Sequence, residues 1–157
     1  MVRIDTALLD RLSEEAARSP RKRANHNLHG GYGEKVQRFL NALHPGTYVR
    51  PHRHPREGDL ESVILLRGRA LVVVFGDRGG VREHLLLERD RGILAVEVDP
   101  AGWHTVAALE AGTVLFEVRN GPYVAEKAKE FAPWAPEEGD PAAEAYLTKI
   151  LEGLGYS

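Results

Sequence analysis

The chain has no cysteine, and only one methionine and two tryptophans, in 157 residues. Without thiols there is no disulfide, no thiolate metal site and no cysteine nucleophile, so any metal must be held by His, Asp or Glu. Charge of one sign is also lacking: 21 Lys and Arg stand against 23 Asp and Glu, a formal net charge of -2. No global basic field draws such a chain to nucleic acid or to an anionic membrane, and neither is expected as a partner. The N-terminal segment MVRIDTALLDRLSEE turns acidic at once and carries no long apolar run. Neither a signal peptide nor a transmembrane helix is expected there, and the expected location is the cytoplasm.

What is present is ordinary for a globular protein: 43% hydrophobic and 28% charged residues, with 16 glycines and 9 prolines punctuating short apolar runs. The length suits one domain with one core. We expect a single all-β domain over 1–157, with an N-terminal helix and arm over 1–35, a β-barrel over 36–120 and a C-terminal tail and helix over 121–157. Leu8, Leu9, Leu12, Ala16 and Ala17 recur at helical spacing behind Asp5 or Thr6 as a cap, and Ser19-Pro20 ends that helix. The following SPRKRANHNLHGGYG shows no periodicity and reads as an arm. Eight β-rich runs then follow: VQRFLNAL, TYVR, SVILL, ALVVVF, VREHLLL, ILAVEV, WHTVAAL and TVLFEV. Turn sequences separate them, and no helix fits between, which points to an antiparallel sandwich or barrel. Beyond Asn120 a stretch without strand pattern is expected to lie across the sheets through Tyr123, Phe131 and Trp134. A helix then starts at Asp140-Pro141, with Tyr146, Leu147, Ile150, Leu151 and Leu154 as its apolar stripe.

The chemistry is concentrated in GTYVRPHRHPREGDLESVILLRG, residues 46 to 68. His52 and His54 are two apart, so on an extended segment both imidazoles point to one face and can reach one ion. Glu61 opens a strongly apolar strand, where an inward carboxylate is costly unless it is paired or bound to a cation. His104 lies on a later run, in DPAGWHTV. Three imidazoles and a carboxylate make a hard-to-borderline donor set suited to one divalent transition metal: Fe, Mn, Ni or Zn, with Co and Cu also compatible. His26, His29, His44 and His84 fall in loops or on surface strand faces and are read as structural.

These residues resemble the cupins, whose first motif is written G(x)5HxH(x)3-4E(x)6G. Gly46 is followed by five residues and then His52 and His54, and Glu61 by six residues and Gly68. The interval PREGDL between His54 and Glu61 is longer than usual, so Glu57 stands as the alternative carboxylate. The second cupin motif, G(x)5PxG(x)2H(x)3N, is matched in part by Pro100, Gly102 and His104, with one residue rather than two between Gly102 and His104, Gly92 seven rather than five residues before Pro100, and Ala108 at its Asn position. The segments IDTALLDRLSEEAARSPRKRANHNLH, VQRFLNALHPGTYVRPHRHP, ILLRGRALVVVFGDRG, PAGWHTVAALEAGTVLFEVRNGPY and FAPWAPEEG resemble the WbuC-type cupin-fold metalloproteins over nearly the whole chain. That resemblance implies a double-stranded β-helix, or jelly-roll barrel, with flanking helices and a bound metal. It also implies an association with bacterial surface-polysaccharide or O-antigen genes, without a settled reaction.

Tyr48 and Arg50 share strand parity with the HxH pair, which would aim all four into one barrel mouth. Tyr48 is then a candidate general acid, and Arg50 a bidentate anchor for a carboxylate or phosphate. Gln37, Arg38 and Trp103 are weaker candidates for substrate contact. The expected function is a metal-dependent enzyme, an isomerase or dioxygenase, acting on a small polar molecule such as a sugar or sugar acid. The competing expectations are a non-catalytic metal- or metabolite-binding cupin and a metal-free epimerase-like cupin. The apolar run VILLRGRALVVVF is long for one monomer face, and a homodimer is expected from it.

Overall fold

The computed structural model describes residues 1–55 and 58–156. Helix α1 (Thr6–Arg18) is capped by Asp5, whose carboxylate accepts from the Leu8 amide at 3.0 Å. Ten strands follow: β1 (Arg23–Asn27), β2 (Val36–Leu43), β3 (His52–Arg53), β4 (Glu61–Arg67), β5 (Arg69–Phe75), β6 (Val81–Glu88), β7 (Ala95–Val98), β8 (Trp103–Ala108), β9 (Thr113–Asn120) and β10 (Glu130–Phe131). A short helix α2 (Ala125–Ala128) precedes β10, and α3 (Ala142–Gly153) closes the chain. The strands form two five-stranded antiparallel sheets, ordered β1-β2-β9-β4-β7 and β10-β3-β8-β5-β6.

Period-two alternation explains why two sheets suffice. Along β4, Glu61, Val63 and Leu65 are buried while Ser62 and Ile64 are less so, and the buried set meets Leu43, Ala70, Val72, Leu87 and Leu115 between the sheets. The opposite face of β5 is buried too: Leu71, Val73 and Phe75 pack with Trp103, Ala132 and the stripe of α3. Leu8, Leu9, Leu12 and Ala16 of α1 cover Leu40, Ala42 and Val114 on the outside of the first sheet. Each such fully buried Leu or Val contributes about 1.5–3 kcal/mol. Of VILLRGRALVVVF, Val63, Leu65, Leu66, Ala70, Leu71, Val72, Val73 and Phe75 pack within the chain, while Ile64 and Val74 are half-buried outside these clusters. Gly68 turns β4 into β5 at φ +79°; a Cβ there would sit 2.7 Å from the Thr113 Cα, so only glycine is accommodated.

Three expectations are corrected. The arm after α1 contains a strand: β1 pairs with β2 from Arg23↔Leu43 to Asn27↔Phe39. Its polar residues hide the alternation because β1 is an edge strand with no buried residue, Asn25 and Asn27 being exposed and the rest half-buried. TYVR is not a strand, because the Thr47 amide closes a turn on the His44 carbonyl and Pro51 follows, so pairing begins only at His52. Tyr123 and Phe131 do not pack the tail onto the sheets; they are 43% and 49% exposed, and Trp134 alone of the three joins the core. The start of α3 follows the expected chemistry one residue late: Pro141 is the cap, and the Asp140 carboxylate accepts from the Ala142 amide at 2.7 Å.

Candidate metal centre

His52 on β3 is paired in register with His104 on β8, in the second sheet. Glu61 opens β4 in the first sheet, opposite Arg119 of β9. His54 follows β3, where its amide donates to the Pro100 carbonyl at 2.6 Å. The two sheets thus bring the four side chains together in the interior, all buried, with one ligand atom from each lying within 4.8 Å of the others. The alternative carboxylate, Glu57, lies outside the described residues.

Each imidazole is oriented by its own backbone contact. The Nδ1 atoms of His52, His54 and His104 stand 2.9, 2.6 and 2.9 Å from the carbonyl oxygens of Arg50, Ala128 and Gly102. A carbonyl only accepts, so at His52 and His104 Nδ1 carries the proton and Nε2 presents a lone pair, whereas His54 Nδ1 lies between the Ala128 carbonyl, an acceptor, and the Arg119 guanidinium, a donor. Those three Nε2 atoms and Oε2 of Glu61 are buried without a hydrogen-bond partner. They converge all the same: His54 Nε2 and His104 Nε2 approach Glu61 Oε2 to 2.8 and 2.9 Å. Three ring nitrogens and a carboxylate oxygen crowded together in the interior need a cation or ring protons among them, and that donor set fits a divalent ion. Arg119 completes the surround, with Nη2 3.2 Å from the Ala128 carbonyl and 2.6 Å from His54 Nδ1, and Nε 3.9 Å from Glu61 Oε1.

The electrostatics agree with ligation. Burial, then the positive Lys129 and the neighbouring His104, push the His52 pKa well below its ordinary value, so this ring is neutral. Burial alone would raise the Glu61 carboxyl; hydrogen bonds donated to it by His104 and His54 when their rings carry the proton at Nε2, the place an ion would take, outweigh burial and lower its pKa.

Beside the centre lie two cavities. A small one of about 40 Å³ touches Glu61 and His104. A large one of about 750 Å³ lies between the inner face of β1, β2 and β9 and the segment 122–131. Asn41, Val49, Glu117 and Lys129 line both and form the partition between them. Asn41 Nδ2 donates to Glu117 Oε1 at 2.8 Å. Burial, then the nearby Glu61, raises the Glu117 pKa. Lys129 is half-buried, and desolvation of its ammonium lowers its pKa to about 8, with Glu61 opposing and Arg119 reinforcing the shift.

The remaining candidates separate clearly. Tyr48 does not face the centre: its hydroxyl donates to the Pro136 carbonyl at 2.8 Å and its ring packs on Ala143, Tyr146 and Leu147. Burial raises its pKa further from that of a proton donor. Strand parity does not extend to Tyr48, because 47–50 leave the turn at Pro45-Gly46 as irregular chain and pairing starts only at His52. Trp103 belongs to the core beside Phe75 and Trp134, with Arg53 stacked 4.4 Å above its ring. Arg38 pairs with Glu34 at 2.7 Å and is not part of either cavity wall. Gln37 does line the large cavity, but its amide is spent on the carbonyls of Tyr32 and Glu34. Arg50 also lines it. Glu117 and Arg119 carried a usable signal, since in TVLFEVRN they share parity with the buried Leu115. Lys129 carried none, lying in a stretch without periodicity.

Comparison with known proteins follows the geometry. Residues 4–87 match the family described as "Domain of unknown function (DUF6016)". No curated protein matches the chain in sequence. Among solved structures, the protein TT1209 from Thermus thermophilus superposes with a TM-score of 0.55 at 24% identity, over 76% of this chain and 97% of that one. A cupin 2 domain-containing protein from Halorhodospira halophila gives 0.51 at 18% identity, over 83% and 81%. The capsular polysaccharide assembling protein CapF from Staphylococcus aureus gives 0.54 at 15% identity, over 63% of this chain but 27% of its own length. The chain likewise spans 27% of an oxalate decarboxylase chain from Lactobacillus farciminis. The likenesses to TT1209 and to the cupin 2 domain-containing protein show a cupin jelly-roll fold.

Proposed function

The chain belongs to the DUF6016 family and folds as a cupin, and on that premise we propose that it is a metal-dependent enzyme acting on a small polar metabolite. One observation carries the reading: three buried imidazoles, each anchored through Nδ1 to a carbonyl, turn their unpartnered Nε2 atoms toward the Glu61 carboxylate. His52, His54, Glu61 and His104 would hold Fe, Mn, Ni or Zn. A bound ion supplies Lewis acidity toward an oxygen of the substrate. The protein's own part is to keep His52 neutral, orient the three rings through their Nδ1 contacts and wall the site from bulk water. Arg50 is available to an anionic substrate group at the cavity wall. The WbuC-type resemblance supports the finer reading, a sugar or sugar acid in surface-polysaccharide metabolism, and the fold shared with a capsular polysaccharide assembling protein is compatible with it.

A second reading has its own observation. The cavity touching Glu61 and His104 is about 40 Å³, room for a water rather than a metabolite, which favours a structural or sensing metal unless the partition moves.

Metal content by plasma mass spectrometry on untagged protein tests the centre. About one equivalent of a transition metal is expected in the parent, and none in a folded His52→Ala, His54→Ala double variant. A metal-free parent, even after supplementation, overturns both readings.

A further inference from the structure

The large cavity is built with an excess of positive charge. Arg21, Arg23, Arg50, Arg119, Lys127 and Lys129 line it against the carboxylates of Asp59, Glu117 and Glu138. The pairing is uneven: Arg21 and Arg23 share the single carboxylate of Glu138. Arg50 has a 3.5 Å contact with Glu137, which is 80% exposed, and its Nε is buried without a partner. Lys129 makes no ion pair within 4 Å among the described residues, although it sits in the partition beside the metal ligands. Asn41 adds a buried Oδ1 acceptor without a partner on the same partition. A concave wall of low dielectric concentrates such a surplus of positive potential.

The mouth of the cavity is different in kind. Tyr32 and Tyr123 stack with ring centroids 5.2 Å apart while 60% and 43% exposed, and Phe131, 49% exposed, lies under the Arg50 guanidinium. All three rings line the cavity. Exposed aromatic rings around a polar cavity give an uncharged ligand body something to cover, and a volume of about 750 Å³ is that of a metabolite rather than an inorganic ion.

We propose that this cavity binds a small organic oxyanion, with its carboxylate or phosphate drawn to Lys129 and Arg50, a hydroxyl of the ligand donating to Asn41 Oδ1, and its body against Tyr32, Tyr123 and Phe131. Lys129 in the partition and Arg119 beside His54 and Glu61 are the cations through which the cavity meets the metal centre, so the charged end of the ligand lies at the partition. The inference deepens the function proposed above by naming the ligand class, and its test reads anion binding separately from metal loading.

The test is calorimetric titration of the full chain, metal-loaded and chelator-stripped, with D-galacturonate, citrate and inorganic phosphate, and with D-galactose as the neutral counterpart of the uronate. At least one organic acid is expected to bind at least about tenfold tighter than galactose and than phosphate. Lys129→Met should lower that affinity about tenfold or more and Lys129→Arg should restore most of it, with metal content unchanged in both. Equal binding of galactose and the acids, unchanged affinity in Lys129→Met, or no organic acid binding below about 50 mM overturns the proposal. Phosphate binding as tightly as any organic acid overturns the part assigned to the rings. A parent that takes up no metal even after supplementation but still binds the organic acid would defeat the metal reading and leave this one standing.

Discussion

A histidine becomes a ligand through what its other nitrogen does. His52, His54 and His104 each spend Nδ1 on a backbone carbonyl, which turns Nε2 toward Glu61. His29 shows that such a contact is not enough by itself: its Nδ1 lies 3.0 and 2.9 Å from the amide and carbonyl of Arg38 and its Nε2 is buried without a partner, but it is not one of the residues that converge on Glu61. Tyr48 shows how a plausible chemical role dissolves into a structural one, because its hydroxyl is spent on Pro136 and its ring on α3. Tyr48→Phe should therefore cost about 1 kcal/mol in denaturant unfolding, the net value of one hydrogen bond, and leave metal content unchanged. A loss of metal in a still-folded Tyr48→Phe protein would return Tyr48 to the site.

At the scale of elements, the site depends on segments that hardly look like elements. Strand β3 is two residues long and pairs with the equally short β10, whose Glu130 holds Arg53 through two contacts of 2.9 Å. The tail 122–138 is thus part of the site's wall, supplying the Ala128 carbonyl to His54 and Lys129 to the partition. Glu138 fastens its far end to β1 through Arg21 and Arg23. Burial alone would raise the Glu138 pKa, but the two guanidiniums outweigh it and hold it below its ordinary 4.5. A depressed carboxylate contributes stability above its unfolded pKa, and that contribution is lost as pH falls through the folded value. Glu138→Gln should therefore unfold more easily at pH 7, by about 1 kcal/mol after allowance for solvent screening, and the gap should close as pH drops below about 4.5. A gap that is the same at pH 3 and pH 7 would mean that packing, not charge, fastens the tail.

The same elements mark what could be read in advance. Strands β2, β4, β5, β8 and β9 were legible because both their faces are buried or alternate cleanly, and α1 because its stripe is uninterrupted. His52, His54, Glu61 and His104 were legible because ligand spacing is local to a strand and the inward Glu61 is improbable without a cation. Strand β1 and the tail were not, since an edge strand and a segment pairing over two residues need no apolar period. Tyr48 was misjudged because a turn before Pro51 breaks the parity that the argument assumed.

For the molecule as a whole, the four ligand residues tie together parts that the chain otherwise joins only through packing. His52 and His104 belong to the second sheet, Glu61 to the first, and His54 touches the tail through Ala128. An ion held by all four links both sheets and the tail and satisfies four buried ligand atoms at once. It binds the folded chain and has no assembled site in the unfolded one, so its binding energy adds to stability by mass action. At a thousandfold excess over Kd the gain is about 4 kcal/mol, equivalent to roughly 10 °C in Tm for a chain of this length. Stripping the parent with a chelator should lower Tm by about that amount, and adding the metal back should restore it. The His52→Ala, His54→Ala variant should show neither response. A parent whose Tm ignores both chelator and metal would mean that the four side chains do not share an ion, and that their close approach is resolved by a proton between His and Glu61 instead.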